Sequence, residues 1–136
     1  MAATPAPRRI LPVIVIAQFA GASLWFAGNA VMPDLQRRGG IPVEALGDMT
    51  TAVQLGFIAG TLGFAFFAIA DRHSPRRIFL TCALLGAAFN AATYLVGPNL
   101  WPLLLLRFTA GFFLAGIYPV GMKIASGWFD RDLGKA

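Results

Sequence analysis

Three stretches of this chain carry no charged side chain: Ile10 to Met32, Met49 to Ala70, and Ile78 to Leu106. A helix needs roughly 20 predominantly apolar residues to cross a hydrocarbon core about 30 Å thick. Inside that core the backbone has no water to bond, so a helix must satisfy its own polar groups. The remaining composition points the same way. Apolar residues make up 57% and charged residues 12% of 136 residues, the latter about half the usual share. Six acids and eleven bases cannot give a soluble domain of this length its normal polar shell. High hydrophobicity also excludes disorder. The reading is an all-α membrane protein with four transmembrane helices, one unit over residues 1–136. Its spans run over about 10–32, 49–70, 76–96 and 101–128.

Local signals set the boundaries. Arg8 and Arg9 precede an apolar run too long for the h-region of a signal peptide, so an uncleaved first transmembrane helix is expected. Pro12 lies in its first turn, where a missing N–H costs little, and Pro33 is expected to help end it. Asp34 to Gly47, with Gly39-Gly40 and Pro42, reads as a polar loop, and Asp48 as the N-cap of span two. Asp71 to Arg77 is a short basic connection in which Ser74-Pro75 reads as an N-cap followed by proline at the first helical position. Gly97-Pro98-Asn99 is a tight turn. Trp101 and Pro102 open span four, and Phe129 to Ala136 is a charged tail.

Short-loop Lys and Arg counts set orientation. Arg8, Arg9, Arg72, Arg76, Arg77, Arg131 and Lys135 fall on the side of the N-terminus, against Arg37 and Arg38 on the other. Both termini and the Asp71–Arg77 loop are therefore expected in the cytoplasm, with the chain in the inner membrane. Lys123, near the inner end of span four, can snorkel. The net charge of +5 reads as membrane orientation, not as nucleic-acid binding, because the bases flank apolar runs.

Several residues within the spans stand out. Arg107 lies about six residues into span four, where an ionisable group is expensive and marks a functional candidate. No Asp or Glu lies within the spans to neutralise it. Its partner is Asp34, Asp48, an acid elsewhere, or an anionic substrate; the structural alternative is snorkelling to water. Trp25, Phe26 and Asn29 of span one and Gln54 of span two lie near its depth, so a shared polar pocket is expected. Gln18 lies nearer mid-span. For any single amide, glue between helices is the plainer reading. Pro119, inside span four, should kink its cytoplasmic half. Gly56, Gly60 and Gly63, with Gly111 and Ala115, offer small-residue seams for close packing or sliding.

Other chemistries find no support. Cys82 is alone in the sequence and reads as an apolar packer. No His/Cys cluster has metal-ligand spacing, His73 sits in a basic loop, and neither a phosphate-cradling glycine pattern nor a nucleophile–base pair occurs. The expectation is a protein that is not an enzyme and takes no cofactor or metal.

Phe67-Ala68-Ile69-Ala70-Asp71-Arg72-His73-Ser74-Pro75-Arg76-Arg77 resembles the loop between helices two and three of the major facilitator superfamily, Gly-x-x-x-Asp-Arg/Lys-x-Gly-Arg/Lys-Arg/Lys. Asp71, Arg72 and a downstream arginine match; Phe67 and Ser74 replace the two glycines, and Pro75 the first downstream base. Arg107-Phe108-Thr109-Ala110-Gly111 resembles the family's Arg-x-x-x-Gly in helix four. Gly127-Trp128-Phe129 with Arg131 and Gly134-Lys135-Ala136 is similar to the family's segment after helix four, and Trp25-Phe26-Ala27-Gly28-Asn29 with Pro33 to its first helix.

The resemblance implies helices one to four of a twelve-helix fold built from inverted three-helix repeats. Helices one and four would be repeat equivalents that line the cavity. The implied function is transport of a small solute, an anion among the candidates, by alternating access, with helices five to twelve and the lipid bilayer as partners. Asp71 and Arg72, with Arg76 and Arg77, would form a cytoplasmic latch with the second bundle. In flavour the chain is similar to bacterial anion, nitrate/nitrite-porter-like and drug-transporter branches, but the arginine that nitrate porters carry in helix two has no counterpart here. Two rival readings are a complete four-helix oligomeric exporter, which would need a membrane-embedded glutamate, and a non-transport membrane subunit.

Overall fold

The computed structural model describes residues 9–39 and 41–129. Arg8, Arg131, Lys135 and the tail beyond Phe129 lie outside the described residues. The fold is all-helical: α1 (Ile10–Gly39), α2 (Ala45–Phe66), a single turn α3 (Ile69–Arg72), α4 (Pro75–Ala92), α5 (Leu100–Leu114) and α6 (Tyr118–Ser126). Three segments are long and apolar enough to cross a membrane: Ile10–Val31, Ala45–Phe66 and Leu100–Ser126, the last joining α5 and α6 into span four. The segment read as span three, α4, has 18 residues and so reaches about 27 Å. Arg76, Arg77 and Asn90 keep its hydropathy below that of the other three.

α1 does not stop at Pro33. It continues to Gly39, into the residues expected to form a loop. Proline costs one backbone bond, which membrane helices tolerate. The extra turn is held by an Asp34–Arg37 ion pair and by Arg37 Nε donating to the Pro33 carbonyl at 3.3 Å. α2 accordingly starts early, at Ala45, with Glu44 at the N-cap; Asp48 sits in the first turn instead of capping it. α4 starts as expected, with Ser74 at the N-cap and Pro75 at the first position.

α2 ends through Ala68, which holds a left-handed φ of 49°. A left-handed residue just past a helix is a common stop signal, but glycine adopts it without the strain that alanine bears. Gly97, φ 64°, supplies the corresponding turn between α4 and α5 without that strain.

Span four breaks where Pro119 requires it. The proline ring clashes with the carbonyl four residues back, which is that of Ala115. The interruption runs over residues 115–117, and the chain tightens there, with Gly116 N–H donating to Phe113 O and Ile117 N–H to Leu114 O, both at 3.0 Å. The expected kink is thus a break of one turn.

The closest packing joins α2 to α5. A methyl group at Gly56 would overlap the Phe108 carbonyl, at Gly60 that of Phe112, and at Gly111 that of Val53. The small residues therefore bring two backbones into direct contact, where weak Cα–H···O bonds add to dispersion. One core cluster holds Val53, Ile78, Cys82, Leu114, Ile117 and Val120; a second, toward the opposite end, holds Ile41, Ala45, Met49 and Leu103. Elsewhere large apolar side chains such as Phe19, Leu62, Leu84 and Leu105 are exposed, the surface a lipid-facing bundle presents.

Candidate functional site

Arg107 is held inward, not outward to water. It is 1% exposed. One guanidinium nitrogen donates to Asn90 Oδ1 at 2.9 Å and to the Leu24 carbonyl at 3.4 Å; the other donates to the Trp25 carbonyl at 2.8 Å. Asn90 also donates to the Leu24 carbonyl, at 3.2 Å. Gly28 makes the approach possible, since a methyl group there would strike the guanidinium. With no side chain at Gly28, the carbonyls one turn earlier on α1 are open to Arg107. A charge whose insertion costs about 3 kcal/mol is thus met by neutral oxygens from α1 and α4. Asp34 pairs with Arg37 and Asp48 is exposed. The Nε of Arg107 is buried without a hydrogen-bond partner among the described residues.

The residues expected around Arg107 divide. Trp25 meets it through its backbone carbonyl, while its indole packs edge-on against Phe57, centroids 5.5 Å apart. Gln18 forms a separate contact deeper in the bundle: its Nε2 donates to the Tyr118 carbonyl at 3.2 Å, and its amide rests on Gly121, where a side chain would collide with it. Asn29 and Gln54 are exposed on α1 and α2. Sequence reasoning missed Asn90 and Gly28. The signal was present in Asn90, a lone amide in an apolar run that had to find a partner.

A cleft of about 270 Å³ opens where α1, α2 and span four meet, walled by Trp25, Phe26, Phe57, Leu114 and Tyr118. It lies beside the break in span four and is almost wholly apolar and aromatic.

The second site is at the end that carries Asp71. Lys123 of α6 forms an ion pair with Asp71 and donates to the Ala70 carbonyl at 2.9 Å. This ties α3 to the lower half of span four across the break. Arg72, Arg76 and Arg77 are exposed beside it. Among the described residues no group of His, Cys, Asp and Glu is placed to hold a metal ion.

Comparison with known families agrees with this architecture. The family model described as Major Facilitator Superfamily matches residues 14–136. The match reaches the superfamily and no branch within it. No curated protein and no solved structure matches the chain. The family match spans nearly the whole length, from the first helix through the Asp71 loop to the broken fourth span; the chain therefore belongs to the major facilitator superfamily of membrane transporters.

Proposed function

We propose that this chain supplies helices one to four of a secondary transporter that moves a small solute across the inner membrane by alternating access, with the Asp71 end in the cytoplasm. The excess of arginines at that end supports the orientation. The cleft among α1, α2 and span four carries the site assignment. It joins the two helices that are equivalents in an inverted-repeat scheme, and it adjoins a broken helix, the kind of irregular backbone that membrane proteins tolerate where it lines a cavity. Its aromatic walls suit a solute with an apolar or aromatic part. Asn29 and Gln54 offer amides on the exposed faces of α1 and α2 to the solute or to further helices. Asp71 and Arg72, backed by Arg76 and Arg77, serve as the cytoplasmic latch, and Lys123 holds Asp71 in place for it.

An anionic solute is the second reading, favoured by the buried, unpartnered Nε of Arg107. One set of variants in the twelve-helix transporter separates the two. Phe26→Ala and Tyr118→Ala are expected to weaken solute binding several-fold at unchanged folded yield, whereas Arg107→Ala lowers the yield. Loss of binding in Arg107→Ala, with the yield intact and the cleft variants unaffected, would establish the anionic reading. Vesicles holding residues 1–136 alone are expected to show no flux. Flux from them overturns the proposal in favour of a small oligomeric exporter.

A further inference from the structure

Helix one and span four clasp each other twice, once on either side of the break at residues 115–117. Both clasps have the same form. A long polar side chain of one helix lies on a glycine of the other and donates to a carbonyl one turn before that glycine. On the α5 side, Arg107 lies on Gly28 and donates to the Leu24 and Trp25 carbonyls. On the α6 side the roles are exchanged: Gln18 of α1 lies on Gly121 and donates to the Tyr118 carbonyl at 3.2 Å. Between them the Ile117 side chain fills the space that a methyl group at Gly21 would need. These contacts lie between the helices and do not depend on what covers the outside of the bundle.

The two clasps are unequal. Arg107 is 1% exposed and is bonded to two carbonyls and to Asn90 of α4. Gln18 has one bond, to α6 alone. The two halves of span four also have different neighbours. The closest neighbour of α5 is α2, backbone against backbone at Gly56, Gly60 and Gly111, whereas α6 rests on α4 and α1. Between the halves, Pro119 has no N–H to give the Ala115 carbonyl, so the ladder that would make them one rigid rod lacks a bond there. The half held by the weaker clasp is thus the half that the break leaves free to turn.

We infer that Gln18 is a positioning residue, whose bond to the Tyr118 carbonyl sets the angle of α6 at the break. Tyr118 is the first residue of α6 and also a wall of the cleft. Lys123, five residues on, engages Asp71. A turn of α6 therefore moves one wall of the cleft and the Asp71 contact together, while α5 and Arg107 stay in place. The consequence for a solute rests on the cleft assignment above; the angle of α6 does not, and it is measured without solute.

The test uses the twelve-helix transporter in nanodiscs, with a trifluoromethyl tag on Ser126→Cys to report α6 and, in a second sample, on Leu105→Cys to report α5. Cys82 is buried and stays. In fluorine NMR, Gln18→Met keeps the bulk of the side chain but not the bond. It is expected to raise the ratio of minor to major signal at the α6 tag about fivefold, the effect of losing one amide bond between membrane helices, and to leave the α5 tag unchanged. Gly121→Ala, which pushes the amide off from the opposite helix, should do the same and decides the matter if Gln18→Met lowers the folded yield. Gly28→Ala, at the other clasp, should leave the α6 ratio as it is. An α6 ratio unchanged in both variants, equal changes at the two tags, or the same α6 change in Gly28→Ala overturns the inference.

Discussion

Helix one and span four are both apolar enough to cross a membrane, yet the bundle treats them in opposite ways. In their most apolar stretches, 6% of the residues of α1 are buried against 44% for span four. Hydropathy does not explain the difference, since α1 is the more hydropathic of the two. Packing does. Span four has Gly111 where the α2 backbone arrives, Arg107 where α1 and α4 offer oxygens, and Lys123 where α3 turns. Helix one contributes two carbonyls, Gly21, Gly28 and the Gln18 amide and leaves Val15, Ile16 and Phe19 exposed. In a membrane, burial follows from small residues and polar pairs, because apolar surface alone gains nothing by leaving lipid.

The contrast between the two helices is most open to attack at the α2–α5 seam. Gly111→Leu drives a side chain into the Val53 backbone and is expected to cost about 3 kcal/mol or more, read as early unfolding in a detergent titration and loss of the monodisperse peak. Ala20→Leu, on the exposed side of α1, should change stability by less than about 0.5 kcal/mol. Equal losses in the two variants would mean that α1 is packed as tightly as span four.

A smaller effect is expected at the Arg107 contacts. Arg107→Lys keeps the charge but loses the fork that reaches both Asn90 and Trp25 O, at about 1–3 kcal/mol. Gly28→Ala, which displaces the guanidinium from α1, should cost a similar amount. A double-mutant cycle should find the pair less costly than the sum of the singles; strict additivity would show that Gly28 and Arg107 act independently. The smallest effect belongs to Lys123→Met. Its ion pair is largely exposed, so a loss below about 1 kcal/mol is expected, with faster hydrogen exchange at Asp71–His73 and none of that change in α1.

Much of this was legible in the sequence because hydrocarbon imposes few solutions. Charge-free stretches marked the helices, Ser74-Pro75 marked the start of α4, and Pro119 marked the break. The errors fell where water or side-chain geometry decides. Pro33 was expected to end α1, but a charged pair one turn on carries the helix past it. Arg107 was recognised as anomalous from its depth alone. Its partners were not, because two of them are backbone carbonyls and a carbonyl has no sequence signature; only Gly28, which uncovers them, does. Lys123 was read as reaching for water, since nothing in the spacing of residues 71 and 123 says that they meet.

The partners of Arg107 have one further property. Leu24, Trp25 and Asn90 all precede it in the chain, as Ala70 and Asp71 precede Lys123. When a ribosome has made span four, every oxygen that its buried Arg107 and its exposed Lys123 engage has already been synthesised. The most expensive segment to insert thus comes last of the four and enters onto a surface that is already there to receive it. The order of synthesis, as well as the final geometry, keeps that arginine from spending time alone in lipid.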